Sequence, residues 1–216
     1  MALTALILGL AIGWLVCWLS ERLPFVGKSQ TNLPTSTAFR WLTPGVMVGT
    51  AVLYSYLWHL LQFSSNFFFL ATLCAFLILI AVIDLKYRLI LNVLIVPAIL
   101  LMLLYQFVPL TRASWFALFG GIAAFLLFLL VAFLRPGELG GGDLKLAAFL
   151  GVTFGLPYVF WALLAGVLVG GATAVCLLVA KHWRLSIQIP YGPFLCFGAI
   201  IALLLNPLPW LFSLFS

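Results

Sequence analysis

Two aspartates in matching local sequence are the residues best suited to chemistry. The chain has only four acidic residues, and two of them are Asp84 in "IDLKY" and Asp143 in "GDLKL". Two carboxyl groups that share a site cannot easily both ionise, so one keeps a proton and the pair titrates as a unit. One carboxylate can then deprotonate a water molecule while the protonated partner polarises a peptide carbonyl. This pattern predicts an aspartic hydrolase with Asp84 and Asp143 as its catalytic residues.

Three consecutive glycines, Gly140, Gly141 and Gly142, stand directly before Asp143. An aspartate at a helix end often only marks where a membrane helix stops, but the glycines favour a functional role here. Glycine weakens a helix through backbone entropy, and a single Ser or Asn would cap the helix better. We therefore expect the glycines to let the backbone turn sharply and to let an extended substrate lie beside Asp143.

The other polar residues offer less chemistry. Lys86 and Lys145 each follow an aspartate by two residues, a helical spacing that turns the two side chains to different faces. We expect both lysines to extend towards lipid headgroups rather than to pair with the aspartates. The four cysteines lie in separate apolar runs without metal-ligand spacing, so no metal site is predicted.

The composition places these residues in a membrane protein. The chain is 66% hydrophobic and 6% charged, and its mean hydropathy is +1.31. Apolar runs near the length of about 20 residues that a membrane crossing needs recur along the sequence, and strand-like alternation does not. We predict an all-α, polytopic membrane helix bundle. Its eight predicted segments are residues 3–20, 42–61, 67–83, 90–107, 114–134, 144–156, 158–180 and 194–212.

These segments predict one membrane-embedded domain over residues 1–216. The first segment is expected to be a retained helix because it lacks the basic start and cleavage site of a signal peptide. The sixth is short for a full crossing, so it is expected to be tilted, re-entrant or buried among its neighbours. The one longer polar connection, residues 21–40, is expected to be a short cytoplasmic loop.

The basic residues predict the orientation. The formal net charge is +6, and nine of the ten Lys and Arg residues fall in alternate connections, with Arg112 as the exception. Such asymmetry marks the cytoplasmic side of a membrane protein, so both termini are predicted to lie outside. The charge is thereby explained without a nucleic-acid partner, and the lipid bilayer is the expected surrounding. Both candidate catalytic aspartates fall on the cytoplasmic side.

Several motifs resemble the type IV prepilin peptidases, a family of membrane aspartic proteases with a GxGD motif. "GGGDLKLAAFLG" at 140–151 resembles the GxGD motif, and "DLKYRLILN" at 84–92 is similar to the first aspartate motif of that family. "IPYGPFLCFGA" at 189–199 resembles its P-[FY]-G-P-F segment, and "IGWLVCWLSERLP" at 12–24 resembles its first helix. The resemblance covers nearly the whole chain in the family's order.

Two departures from the family pattern stand out. Leu91 occupies the position where the family usually has proline, so the turn after Asp84 is expected to be altered but not abolished. The cytoplasmic insertion with two Cys-x-x-Cys pairs is missing, which makes this a short form of the family. Members of the family also methylate the new amino terminus with S-adenosylmethionine, and the missing insertion places that second activity in question.

The resemblance implies a function and its substrates. These are prepilins or pseudopilins, whose basic leader ends in glycine and is cut at the cytoplasmic face of the bacterial inner membrane. Pro190, Gly192 and Pro193 of the PYGPF segment are assigned, with the glycines before Asp143, to substrate approach. Proteolysis is expected to need no cofactor. Two alternatives stay open: a presenilin-like intramembrane aspartic protease, and a non-enzymatic membrane carrier or scaffold.

Overall fold

The computed structural model describes residues 2–23, 42–107, 112–136, 139–180 and 190–205, and every long element of regular structure in these ranges is an α-helix. The predicted helical fold class is confirmed there, and each predicted segment coincides with a helix. The predicted loop beyond residue 23, residues 181–189 of the last predicted loop and residues 206–212 of the last predicted segment lie outside the described residues. The helices are α1 (Ala2–Arg22), α2 (Leu42–Leu61), α3 (Ser65–Tyr87), α4 (Asn92–Phe107), α5 (Arg112–Leu134), α6 (Gly141–Phe154), α7 (Tyr158–Ala180) and α8 (Gly192–Leu205).

Within the described ranges, four helical stretches are long and apolar enough to cross a membrane. They are Leu3–Arg22, Ser65–Tyr87, Trp115–Leu134 and Tyr158–Cys176. α4 and α8 are apolar but shorter. Large apolar side chains are exposed on most helices, as expected of surfaces that face lipid. The chain is therefore a multi-pass membrane protein by composition and helix length, and the count of eight crossings stays a prediction.

The described helices fall into two compact units. The N-terminal unit consists of α1–α3 and ends at Arg88, and the C-terminal unit begins at Leu89 and consists of α4–α8. Asp84 belongs to the first unit and Asp143 to the second. The expectation that residues 1–216 act as one peptidase domain stays a prediction.

In the N-terminal unit, small residues let α1 pack closely on α2. A Cβ at Gly9 would lie 2.6 Å from Cα of Ala51, and a Cβ at Gly13 would lie 2.8 Å from Cα of Met47. The Thr50 hydroxyl lies 2.9 Å from the Gly9 carbonyl oxygen and bridges the two helices. Glycines four residues apart form a common helix-packing face in membranes. α1 also contacts α3, the helix that carries Asp84.

α6 forms the centre of the C-terminal unit and contacts α4, α5, α7 and α8. Its 14 residues span about 21 Å, less than the hydrocarbon core of roughly 30 Å. Eight of its residues are buried, including Leu146 and Leu150 at 0% exposure. Of the three possibilities predicted for this short segment, burial among its neighbours is the one observed. Gly120 of α5 and Gly151 of α6 lie so close that neither could carry a Cβ without displacing the other's backbone.

The end of α6 depends on partners from other helices. Gly155 terminates α6 with a positive φ of 64°, a conformation that glycine adopts without strain. The Val152 carbonyl oxygen, near the helix end, accepts a hydrogen bond from the Gln106 side chain of α4 at 2.6 Å. The Leu156 N–H donates to the Phe116 carbonyl oxygen of α5 at 3.0 Å. Backbone groups that a short buried helix would otherwise leave unpaired are satisfied in this way.

Candidate active site

Asp84 lies in the last turn of α3 and is buried, with 5% of its surface exposed. The helix was expected to end at Asp84, but it continues to Tyr87. It is terminated by Arg88, which adopts the left-handed conformation at φ 52° and ψ 42°. The Arg88 N–H donates to the Asp84 carbonyl oxygen at 2.8 Å, so the backbone of Asp84 takes part in the helix cap. The aspartate is thus held inside regular helix rather than in the following turn.

Lys86 contradicts the expectation that it extends to lipid headgroups. Its side chain is only 3% exposed. The ammonium donates to the Ser20 hydroxyl at 3.0 Å and lies 3.4 Å from a Glu21 carboxylate oxygen. Both partners belong to the end of α1, which packs against α3. The lysine turns inwards because the polar end of α1 lies within its reach and satisfies its charge better than an apolar surrounding would.

Asp143 occupies the first turn of α6. The helix begins at Gly141, three residues before the predicted start of the segment, with Gly140 as its N-cap. The Gly140 N–H donates to the Asp143 carboxylate at 3.1 Å, and the Asp143 N–H donates to the Gly140 carbonyl oxygen at 3.0 Å. A carboxylate at this position reaches back to the cap N–H as in a capping box. The favourable interaction with the helix dipole adds to this arrangement.

The glycines before Asp143 form a helix start instead of the expected sharp turn. Gly140 has an extended backbone at φ −81° and ψ 148°, which any residue can adopt. Of these glycines, Gly142 is constrained by packing, because a Cβ there would lie 2.8 Å from Cβ of Ile90. A Cβ at Gly141 would meet nothing within 4 Å. The close approach at Gly142 is therefore made by Ile90 of the same chain, and substrate approach at the glycines stays a prediction.

Lys145 of α6 also bonds to another helix, through an exposed contact, and its extension to lipid headgroups stays a prediction. Its ammonium donates to the side-chain oxygen of Asn92, the first residue of α4, at 2.7 Å. Asn92 closes the segment "DLKYRLILN". The turn before it is preserved with Leu91 at the position where the family usually has proline, since the Leu94 and Ile95 N–H groups both donate to the Leu91 carbonyl oxygen. The end of the first aspartate motif thus packs on the start of the helix that carries Asp143.

The pKa of Asp143 reflects two opposing effects of its surroundings. Partial burial raises the pKa of Asp143, and the hydrogen bond from the Gly140 N–H lowers it by less. Desolvation disfavours the charged form of a carboxyl group, which explains the direction of the net shift. Asp143 therefore retains its proton to higher pH than an exposed aspartate does. A catalytic acid requires such a group.

The predicted substrate-approach residues of the PYGPF segment lie at the start of α8. Gly192 and Pro193 are buried, and Pro190 is partly exposed. Pro193 is the second helical residue, where its missing N–H leaves no helical hydrogen bond unmade. α8 packs on α7 and also contacts α6. These residues therefore share the C-terminal unit with Asp143, whereas Asp84 lies in the N-terminal unit, and the pairing of the two aspartates stays a prediction.

The partners of the two lysines were not predicted from the sequence. Ser20 and Asn92 were not singled out, although each accepts a hydrogen bond from a lysine that follows an aspartate. The sequence feature that drew attention to these lysines was the tripeptide Asp-Leu-Lys, which occurs at both 84–86 and 143–145. The partners could not be identified from it, because helix spacing fixes which way a lysine points on its own helix but not which helix lies there.

Comparisons with known proteins give a consistent result. Residues 71–175 match the family model described as "Type IV leader peptidase family", and both Asp84 and Asp143 lie in that range. The chain is 33% identical over 138 residues to a protein of Bacillus subtilis named "Prepilin leader peptidase/N-methyltransferase". It is 31% identical over 167 residues to a protein of the same name from Pseudomonas aeruginosa.

These matches cover 59% of this chain and 52% of the Bacillus protein, and 74% of this chain and 57% of the Pseudomonas protein. The chain thus spans a little over half the length of the relatives that it matches. No solved structure matches it. The motifs, the helical membrane fold and these matches agree, and residues 71–175 of the chain are those of the type IV leader peptidase family.

Proposed function

We propose that this chain is a membrane-embedded aspartic endopeptidase that removes the basic leader peptide of a prepilin or pseudopilin. Asp84 and Asp143 would form its catalytic pair. Family membership supports the reaction class, and the names of the two relatives support the substrate class. The observation that carries the proposal is that the matched residues 71–175 contain both aspartates, Asp84 buried in the last turn of α3 and Asp143 partly buried in the first turn of α6.

The chemistry follows from assigning opposite roles to the two carboxyl groups. The ionised carboxylate of the pair takes a proton from a water molecule, whose oxygen bonds to the carbon of the scissile carbonyl. The protonated partner gives its proton to the carbonyl oxygen, and a tetrahedral intermediate forms. The first carboxyl group then protonates the departing amine, the second recovers a proton from the intermediate, and the C–N bond breaks. Both carboxyl groups return to their starting states, so the enzyme needs no cofactor for this cycle.

The proposed cut lies at the cytoplasmic face of the inner membrane. The support is the distribution of basic residues, because the connections that follow Asp84 and precede Asp143 belong to the basic set. A prepilin places its leader at that face when its apolar helix lies in the bilayer. The eight crossings and the external termini belong to this same proposal.

Methyl transfer is not part of the proposed function. The relatives carry "N-methyltransferase" in their names, which implies S-adenosylmethionine as methyl donor. One apolar cavity in the described part of the C-terminal unit, of about 310 Å³, does not fit that ligand. It is lined by Phe154, Tyr158, Trp161, Leu164, Ala165, Leu168, Ile201, Ala202 and Leu205, with no ionisable group but the Tyr158 phenol. A cationic sulfonium with a charged amino acid tail needs charged or multiple polar partners, so we derive no methyl-transfer step.

The experiment that tests the function is mass spectrometry of the amino terminus of a prepilin that is co-expressed with this chain. Cleavage directly after the last glycine of the leader is expected, and any methyl group on the new terminus is detected in the same spectrum. A prepilin with valine in place of that glycine is the control and is expected to stay intact. An uncut wild-type prepilin beside folded, membrane-inserted enzyme would overturn the proposed function.

A further inference from the structure

The tripeptide Asp-Leu-Lys occurs twice in the chain, at 84–86 and at 143–145. In both copies the lysine bonds to a polar side chain on another helix of its own unit. The two helices otherwise differ: Lys86 lies in the last turn of α3, and Lys145 lies near the start of α6. The same tripeptide thus places a lysine that donates a hydrogen bond to another helix in two different packing environments.

The first contact fixes the end of α3 to the end of α1. Lys86 donates to Ser20 at 3.0 Å, and Ser20 itself is fully buried and donates to the Cys17 carbonyl oxygen at 2.7 Å. Glu21 lies 3.4 Å from the same ammonium and is about half exposed. A lysine at the C-terminal end of a helix also interacts favourably with the helix dipole. The turn that carries Asp84 is therefore held on one side by a buried, charge-assisted bond.

The second contact fixes the start of α6 to the start of α4. Lys145 donates to Asn92 at 2.7 Å. One turn earlier, the position of Gly142 leaves no room for a Cβ beside Ile90. A polar bond and a tight apolar contact therefore join the same two segments on either side of Asp143. The first turn of α6 has little freedom to shift along α4.

Helix geometry makes a lysine two residues after an aspartate suitable for this task. Residues two apart on a helix lie on roughly opposite faces and do not contact each other. A lysine at that position can bind a neighbouring helix while the aspartate faces elsewhere. We propose that Lys86 and Lys145 are positioning residues, each of which anchors the helix turn that presents an aspartate. This inference rests on the proposed peptidase function.

The anchors are expected to matter for turnover more than for stability. Removing one partner of an ion pair is strongly destabilising where it leaves the other charge buried and unpaired. Lys145→Met does not do so, since the bond from Lys145 to Asn92 is exposed and involves no second charge. In Lys86→Met, the Ser20 hydroxyl would keep its bond to Cys17, and Glu21 is exposed enough to be solvated. Turnover is more sensitive, because a displacement of about 1 Å at a reacting group can lower it by about 100-fold.

The test is steady-state cleavage of a prepilin by the full-length enzyme and by Lys86→Met and Lys145→Met. We expect kcat to fall by about 10- to 100-fold, with KM and the melting temperature close to wild type. Arg22→Met, which removes a positive charge from the exposed end of α1, is the charge control and is expected to leave kcat unchanged. Wild-type kcat in both lysine variants would overturn the proposal, as would a loss that Arg22→Met reproduces.

Variants of the partner residue separate anchoring from a general effect of lost charge. Asn92→Leu is similar in size but cannot accept a hydrogen bond, so it is expected to lower kcat as Lys145→Met does. The double variant is expected to show no further loss, because both changes remove one contact. Asn92→Asp keeps a side-chain oxygen that can accept the hydrogen bond. Its kcat is therefore expected to stay much closer to the wild-type value than the kcat of Asn92→Leu. Additive losses in the double variant would overturn the anchoring role of Lys145.

Failure of this inference can be told from failure of the proposed function. Asp84→Asn and Asp143→Asn are assayed beside the lysine variants. If the asparagine variants are inactive and the lysine variants are not, the anchoring inference alone is wrong. If wild-type enzyme cleaves no prepilin, hydrogen exchange decides: the amides of the first turn of α6 are expected to exchange faster in Lys145→Met than in wild type. Equal exchange rates would then overturn the anchor.

Discussion

At the scale of single residues, the environment of Asp143 separates two roles that its sequence position alone does not. The carboxylate accepts the Gly140 N–H and so stabilises the helix start, and partial burial raises its pKa. The first role would be served equally by asparagine, whose side-chain oxygen can accept the same bond. The second requires a group that can release a proton. Experiments that replace Asp143 by asparagine therefore remove the chemistry and keep the cap.

The raised pKa of Asp143 predicts a pH-dependent stability. Because the folded-state pKa lies above the unfolded-state value, folding favours the protonated form. That stabilisation is fully present below the ordinary pKa of aspartate and is lost as pH rises through the raised value. Asp143→Asn cannot titrate, so the melting temperature of wild type relative to Asp143→Asn is expected to fall across this window. A constant difference between the two melting curves at all pH values would contradict the shift.

The glycines offer a prediction with an internal control. Gly142→Ala is expected to lower stability and cleavage, because its Cβ would lie 2.8 Å from Cβ of Ile90, and small-to-large changes in packed sites destabilise by about 1–3 kcal/mol. Gly141→Ala meets open space and is expected to be neutral or slightly stabilising. Thermal unfolding in detergent and cleavage per folded molecule are the measurements. Equal effects of the two substitutions would show that Ile90 does not constrain Gly142.

At the scale of elements, some features of α6 were predicted from the sequence and its exact start was not. Its existence, its short length and the place of Asp143 at its start all followed from an apolar run behind polar residues. Its start was misplaced by three residues, because Gly141 and Gly142 are weak helix formers and the contact that constrains Gly142 is made by Ile90, outside α6. Tertiary contacts of this kind leave no trace in the local sequence.

The contacts of the lysines are a second example of tertiary contacts that could not be predicted from the local sequence. Amphipathic side chains near a membrane surface were expected to reach water, and this holds where no partner is available. Lys86 instead donates a hydrogen bond to Ser20, which is distant in sequence and fully buried. Such a pairing depends on how α1 packs on α3. Gly9 and Gly13, four residues apart, indicate the packing of α1 on α2 and not its packing on α3.

The buried end of α6 leads to a prediction about Gln106. Gln106→Leu would leave the Val152 carbonyl oxygen without the hydrogen bond at 2.6 Å that it now accepts. An unpaired buried group costs about 1–3 kcal/mol, so a clear drop in melting temperature is expected. Thr153→Val is the matched control: its buried hydroxyl bonds only to the Phe149 carbonyl of its own helix among the bonds seen for it. A Gln106→Leu melting temperature no lower than that of Thr153→Val would contradict the proposed role of Gln106.

At the scale of the whole molecule, the helical membrane architecture followed from composition, and the family followed from a few motifs in order. The crossing number and orientation rest on charge distribution alone. Hydropathy measures how apolar a segment is, and several of these helices are shorter than a full crossing, so helix positions do not settle which segments cross. The two compact units likewise could not be foreseen, because helices with uniformly apolar surfaces carry little information about which neighbours they choose.

Orientation is tested by cysteine accessibility. Single cysteines placed in residues 21–40, 135–143 and 181–193 are expected to react from the cytoplasmic side, and one placed in 108–112 from the outside. The background must lack Cys176, which is exposed, and the other native cysteines. Labelling of a 135–143 cysteine by an impermeant reagent applied from the periplasm would reverse the orientation and remove the proposed cut site from the cytoplasmic face.

The central claim is that Asp84 and Asp143 act together on a peptide bond, and cleavage by their asparagine variants tests it most directly. Prepilin cleavage is measured for wild type, Asp84→Asn and Asp143→Asn, and each rate is normalised to folded, membrane-inserted enzyme. Each single variant is expected to lose activity by at least about 100- to 10,000-fold, because an amide cannot exchange protons with water or substrate. The double variant is expected to be no worse than either single one. If either single variant keeps more than about a tenth of the wild-type rate, the two aspartates are not a catalytic pair.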